Sequence, residues 1–141
     1  MVTQALLLAD DPEVGEWLSG HLGGNMAVLT ADHVNPAAFV DELAGTPGTA
    51  LVFVEFAQDN ATARAATVEQ VLARFPDFPV VAVGAREDSG AVLPAMRAGA
   101  RDFLVMGRDD EHCRELVERA LRKPGRGAGG PPRRGPRRGA G

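Results

Sequence analysis

An α/β domain built on a doubly wound parallel sheet is what this sequence predicts, and three observations carry the prediction. Short apolar runs of strand length alternate five times with stretches of helical periodicity. The runs are mostly Val, Leu, Ala and Phe without strict polar alternation, which is how strands covered on both faces read. Asp, Asn, Pro and Gly stand between the segments at the places where helices begin and end. Alternating units of this kind lay helices on both faces of a parallel sheet.

The strands are expected near Gln4–Ala9, Met26–Ala31, Ala50–Phe56, Pro79–Gly84 and Asp102–Met106. The first helix starts from Asp11 as N-cap with Pro12 at its first position, has Glu13 and Glu16 near its positive end, and runs to about Leu22 before Gly23-Gly24. A second helix is expected over Pro36–Leu43 behind an Asn35 cap, a third over Thr62–Arg74, a fourth over Ser89–Ala98 and a fifth over Asp109–Arg122. Gly45, Gly99 and Gly125 mark helix ends. In the fifth helix His112, Leu116, Val117, Ala120 and Leu121 trace one face, and Glu111, Arg114, Glu115, Glu118 and Arg119 the other.

At 141 residues the chain suits one domain, and a domain of this size buries roughly two-thirds of the surface its unfolded form exposes. Residues 1–123 form that domain. From Pro124 onward every residue is Gly, Pro, Arg or Ala, a composition that builds no core and reads as a disordered linker or tail over residues 124–141. Cys113 is the single cysteine, which rules out a disulfide within the chain and suits a reducing cytoplasm. The run Ala5-Leu6-Leu7-Leu8-Ala9 is too short to span a membrane, has no basic residue before it and passes into Asp10-Asp11, so it reads as a strand.

The net charge of −4 hides an asymmetry. All 19 acidic residues lie between Asp10 and Glu118, so residues 1–123 carry −9 and the arginine-rich tail +5. An acidic body argues against specific nucleic-acid binding. The tail has no aromatic residue to stack on bases and no apolar face to enter a membrane. Residues 1–63 hold no Lys or Arg, which disfavours a phosphate site in the first half unless a metal ion supplies positive charge. The single lysine is Lys123, so there is no phosphate-cradling loop ending in Gly-Lys-Ser/Thr, and no Gly-x-Gly-x-x-Gly follows a strand. His21, His33 and His112 are scattered without metal-ligand spacing. Trp17 and Cys113 read as packing residues.

A doubly wound sheet binds ligands outside the carboxyl ends of its strands. Here those ends carry Asp10-Asp11, Glu55, Gly84-Ala85 and Met106-Gly107. Three segments, Leu6-Leu7-Leu8-Ala9-Asp10-Asp11-Pro12-Glu13-Val14, Leu51-Val52-Phe53-Val54-Glu55 and Pro94-Ala95-Met96-Arg97-Ala98-Gly99-Ala100-Arg101-Asp102-Phe103-Leu104-Val105, resemble the CheY-like receiver family of response regulators. The resemblance covers about residues 4–122 and implies five parallel strands in the order 2-1-3-4-5 with five helices.

It also implies an acidic cluster holding Mg²⁺, a phosphoacceptor Asp, a Ser or Thr after the fourth strand and a Lys after the fifth. Asp10 and Asp11 match the acidic cluster, and Ala9 falls where a third acid often stands. Glu55 stands at the phosphoacceptor position, Gly84 or Ala85 at the hydroxyl position and Met106 at the lysine position, while Phe103 keeps an aromatic of the fifth strand. Glu carries its carboxylate one methylene further out than Asp, and misplacing a reacting atom by about 1 Å costs on the order of a hundredfold in rate. Met106 cannot pair with a phosphoryl oxygen, and Gly84 and Ala85 have no hydroxyl to follow one. Asp10 and Asp11 remain open to two readings, a helix cap with a solvated acid or weak Mg²⁺ binding. Glu55 is likewise either vestigial or a carboxylate that mimics a phosphorylated state.

The losses and the tail make the chain similar to the amino-terminal domain of TadZ/CpaE-type pilus-assembly proteins, in which a deviant ATPase domain follows and the protein helps localise the secretion machinery. The function expected is a non-enzymatic, cytoplasmic pseudo-receiver without a required cofactor. It pairs with itself or another protein through the face formed by helix 4, strand 5 and helix 5. One alternative is a stand-alone phosphorelay receiver that takes its phosphoryl group on Asp10, Asp11 or Asp59. Another is a small-ligand domain using the same crevice, which the lack of basic and aromatic residues at the strand ends supports poorly.

Overall fold

The computed structural model of the protein describes residues 3–24, 26–32, 34–85 and 89–122. The tail expected over residues 124–141 lies outside the described residues. The chain alternates β1 (Thr3–Leu8), α1 (Pro12–Leu22), β2 (Met26–Thr30), α2 (Pro36–Ala44), β3 (Thr49–Glu55), α3 (Ala61–Arg74), β4 (Val80–Gly84), α4 (Ser89–Ala98), β5 (Asp102–Val105) and α5 (Cys113–Arg122). All strand pairs are parallel, in the order β2-β1-β3-β4-β5.

The uninterrupted apolar runs of the strands serve two cores at once, because successive side chains leave opposite faces of a sheet. Leu6, Leu8, Val52, Val54, Val80, Ala82, Phe103 and Val105 face α2, α3 and α4, and pack with Phe39, Val68, Val71, Ala91, Ala95 and Ala98. Ala5, Leu7, Leu51, Phe53, Val81, Val83 and Leu104 face α1 and α5, and pack with Val14, Leu18, Leu22, Cys113, Val117 and Ala120. The edge strand β2 departs from the expected fully buried pattern: only Met26 is buried, and Leu29 is 45% exposed.

Local signals set the helix ends. The Asp11 carboxylate accepts the Glu13 N–H ahead of Pro12, and the Asn35 side chain accepts the N–H groups of Ala37 and Ala38 ahead of Pro36. Gly99 turns the chain from α4 into β5 at φ +122, a conformation that L side chains rarely adopt. One expectation is corrected here. Residues 109–112 form turns, and α5 starts at Cys113. The carboxylates of Asp109 and Asp110 accept the backbone N–H groups of Val105 and Gly107, so they hold the β5–α5 loop where the sequence placed a helical turn. His112 therefore stands exposed before the helix, and the buried stripe of α5 is Cys113, Val117 and Ala120.

Candidate functional site at the carboxyl ends of the strands

The sheet register brings the strand ends side by side. Leu8 pairs with Val54, Glu55 with Val83, and Gly84 with Val105. Asp10, Glu55 and Gly84, distant in sequence, thus share one crevice. The chain folds this way because β1 and β3 are adjacent central strands, each ending where its apolar run meets an acid.

Each of the three acids here, Asp10, Asp11 and Glu55, has one carboxylate oxygen engaged by a protein group. Glu55 Oε1 accepts the backbone N–H of Asp10 at 2.7 Å, which ties the end of β3 to the β1–α1 loop. Asp11 points its Oδ1 at the start of α1 as a helix cap. Asp10 Oδ2 accepts a hydrogen bond from Arg64 at 2.8 Å, and Arg64 Nε donates at 3.2 Å to the Glu55 carbonyl oxygen. Arg64 is the feature that sequence reasoning missed. Its side chain is 5% exposed, in the first turn of α3, where it cements β1, β3 and α3 with one guanidinium. The signal available was a basic residue near the amino end of a helix, a place where the helix dipole disfavours positive charge unless an acid answers it.

Gly84, Phe103 and Met106 are engaged in packing, whereas Ala85 and Asp59 are exposed. Gly84 is fully buried at the end of β4, and a Cβ there would stand 2.8 Å from two ring carbons of Phe103 and 3.1 Å from the Phe56 carbonyl oxygen. Phe103 itself is buried and tilted against the Phe56 ring at 6.4 Å. Ala85 is exposed. Met106, at the lysine position, is half-buried and packs against the core under α1 and α5. Asp59 lies exposed in the β3–α3 loop.

Behind the crevice, between β1, β2 and α1, a cleft of about 440 Å³ is lined by Asp10, Asp11, Glu16, Ser19 and Thr30. Its carboxylates make it a poor host for an anion. The β5–α5 loop closes the opposite flank. Asp110 Oδ1 accepts both the Trp17 indole N–H at 2.8 Å and the Gly107 N–H at 2.7 Å, and these bonds hold its carboxyl below the usual range. Burial opposes ionisation of Asp109, but the hydrogen bond from Arg108, the Val105 N–H and the Arg108 charge outweigh it and leave that carboxyl lowered too. Burial pushes the Cys113 thiol up to about 11, as suits a packing residue rather than a nucleophile.

Among the described residues, no group of three or more His, Cys, Asp or Glu side chains could hold a metal ion. The Mg²⁺ implied by the fold also fits the residues present poorly, on positive grounds. A direct Mg²⁺ site needs several oxygens at about 2.0–2.1 Å. Here one oxygen of Glu55 is engaged by Asp10 N–H, one of Asp11 by the helix cap and one of Asp10 by a guanidinium.

A five-stranded parallel sheet ordered 2-1-3-4-5, with acids after β1 and at the end of β3, defines a receiver-like domain of the CheY-like type. Solved structures share the architecture. A response regulator from Thermotoga maritima matches at a TM-score of 0.71 with 17% identity, over 87% of this chain and 100% of that one. The CheY-like protein TadZ from Pseudomonas aeruginosa matches at 0.74 with 29% identity, over 84% of this chain and 98% of that one. A Burkholderia pseudomallei protein described as pilus assembly-related matches at 0.68 with 23% identity, over 85% and 90%. The family model for the amino-terminal domain of the pilus assembly protein TadZ matches residues 1–129, and this chain belongs to that family. No curated protein matches it in sequence. Among the described residues no helix is long and apolar enough to cross a membrane.

Proposed function

We propose that this domain is a non-catalytic pseudo-receiver of the cytoplasm that serves pilus assembly by binding protein, either a second copy of itself or another component. The observation that carries the reading is the state of the crevice. Glu55 is turned onto the Asp10 N–H, Arg64 holds Asp10, the Phe103 ring fills the space beside Gly84, and Met106 packs into the core. Among the described residues, the positions of Gly84 and Met106 offer neither a hydroxyl to follow a phosphoryl group nor an ammonium to pair with one.

The surface offered for binding lies on the β5 side of the sheet. Leu93 and Met96 on α4 are 49% and 38% exposed, and Arg97 stands beside them at the spacing that puts three residues on one helix face. Asp102 on β5 and Arg119 on α5 approach to 3.9 Å across the same side. Apolar anchors with charges at the rim suit a protein partner. A following ATPase domain, which the resemblance to TadZ/CpaE-type proteins implies, is the further partner proposed.

The catalytic half of the reading is tested by intact mass after incubation with Mg²⁺ and a small-molecule phosphodonor, beside a genuine receiver. An unmodified mass is expected. A stoichiometric phosphoryl adduct on Glu55, Asp10, Asp11 or Asp59 would sink the reading and restore the phosphorelay alternative.

A further inference from the structure

We infer that the Arg64 guanidinium stands in for the divalent cation of the receiver fold, so that Asp10 has its counter-charge from within the chain and the domain is independent of metal. This goes beyond the pairing reading and stands or falls separately from it.

Three observations converge on one group. Arg64 is nearly fully buried, although it lies in the first turn of α3, where the amino-terminal dipole opposes a cation. Burying a charge there is costly without an anion and matched acceptors. Asp10 Oδ2 supplies the anion at 2.8 Å and the Glu55 carbonyl supplies a second acceptor at 3.2 Å. The guanidinium therefore touches oxygens from the ends of both β1 and β3, which is the pair of strand ends that a metal ion in this crevice would have to bridge. Glu55 has meanwhile turned its carboxylate to the Asp10 N–H. A divalent ion that took Asp10 Oδ2 would displace Arg64 and leave a buried guanidinium without its counter-charge, and an ion beside it would face the like charge of Arg64.

The consequence is structural as well as chemical. A bound ion comes and goes with its concentration, whereas Arg64 is covalently part of α3. The joint between β1, β3 and α3 is thus permanent, and no ligand occupancy is needed to set it.

The test is divalent-ion binding read by thermal melting at matched ionic strength. The unaltered chain is expected to melt at the same temperature in excess Mg²⁺ and in chelator. Arg64→Ala frees Asp10 Oδ2 and the Glu55 carbonyl for an incoming ion, and its Tm is expected to rise with Mg²⁺. At tenfold excess over Kd the rise is roughly 5 °C for a domain of this size. Adding Asp10→Asn to Arg64→Ala should abolish that rise. A Mg²⁺-dependent rise in the unaltered chain that Asp10→Asn removes would overturn the inference, and so would an Arg64→Ala protein that folds yet gains no response.

Should Arg64→Ala fail to fold, the unaltered chain still decides through Mn²⁺ broadening of its amide resonances. Sharp amides at Asp10, Asp11 and Glu55 support the inference, and selective broadening there refutes it. Neither readout depends on self-association or phosphoryl transfer, so failure here is distinguishable from failure of the proposed function.

Discussion

The crevice shows how a lost functional group becomes a packing commitment. From the sequence, Gly84 or Ala85 reads as a missing hydroxyl. In the fold Gly84 is also the floor on which the Phe103 ring rests, since a Cβ there would stand 2.8 Å from that ring. Restoring a hydroxyl is therefore not a local change. Gly84→Ser is expected to force the Phe103 ring or the β4 end to move and to cost about 1–3 kcal/mol, as overpacking of a filled core does. Denaturant unfolding of the variant beside the parent measures it, and a stability equal to the parent's would mean that the ring yields freely. The missing hydroxyl was legible in the sequence because it is a matter of residue type. The ring that seals the position was not, because Phe103 reaches Gly84 only through the pairing of β4 with β5.

At the scale of elements, nine of the ten segments start and end within a residue of where composition and caps put them, because Asp11-Pro12 and Asn35-Pro36 signal locally what they do locally. The start of α5 is the exception. Asp109 and Asp110 resemble helix-opening acids, but their carboxylates take backbone N–H groups of the preceding loop and the Trp17 indole, contacts that sequence spacing does not reveal. Both carboxyls are lowered in the folded protein, so the sign of the pH effect is fixed. Their contribution to stability is present above the unfolded carboxylate pKa of about 3.9 and is lost as pH falls through the lower folded values. Trp17 is the only tryptophan and there is no tyrosine, so intrinsic fluorescence reports this joint alone. The parent is expected to lose stability as pH drops below about 4, and Asp110→Asn, which retains an oxygen acceptor without the charge, to lose it less steeply. Parallel acid titrations would show that the Asp110 charge contributes nothing.

For the whole molecule, the two-sided core made the fold class readable, because strands that must feed two helical layers can only be written as continuous apolar runs. Surface function is less legible, since an exposed Leu or Met looks in sequence like any other apolar residue. Burial separates them. Ala91, Ala95 and Ala98 of α4 face the sheet, while Leu93 and Met96 face outward, so the helix carries two apolar faces and the sheet uses one. The outer face belongs to a binding surface if the proposed function is right. Leu93→Asp with Met96→Asp should then leave the monomer folded, because neither side chain is in the core, and should abolish self-association or partner capture. Arg97→Glu should weaken it through the charged rim and make the remaining association depend differently on salt. Light scattering with far-UV dichroism over a concentration series separates the outcomes. A parent that stays monomeric at high concentration while a following ATPase domain is captured through the same residues assigns the face to a partner. Association unchanged by all three substitutions would move the interface elsewhere, with the 45%-exposed Leu29 and 56%-exposed Val34 on the β2 side the next surface to alter.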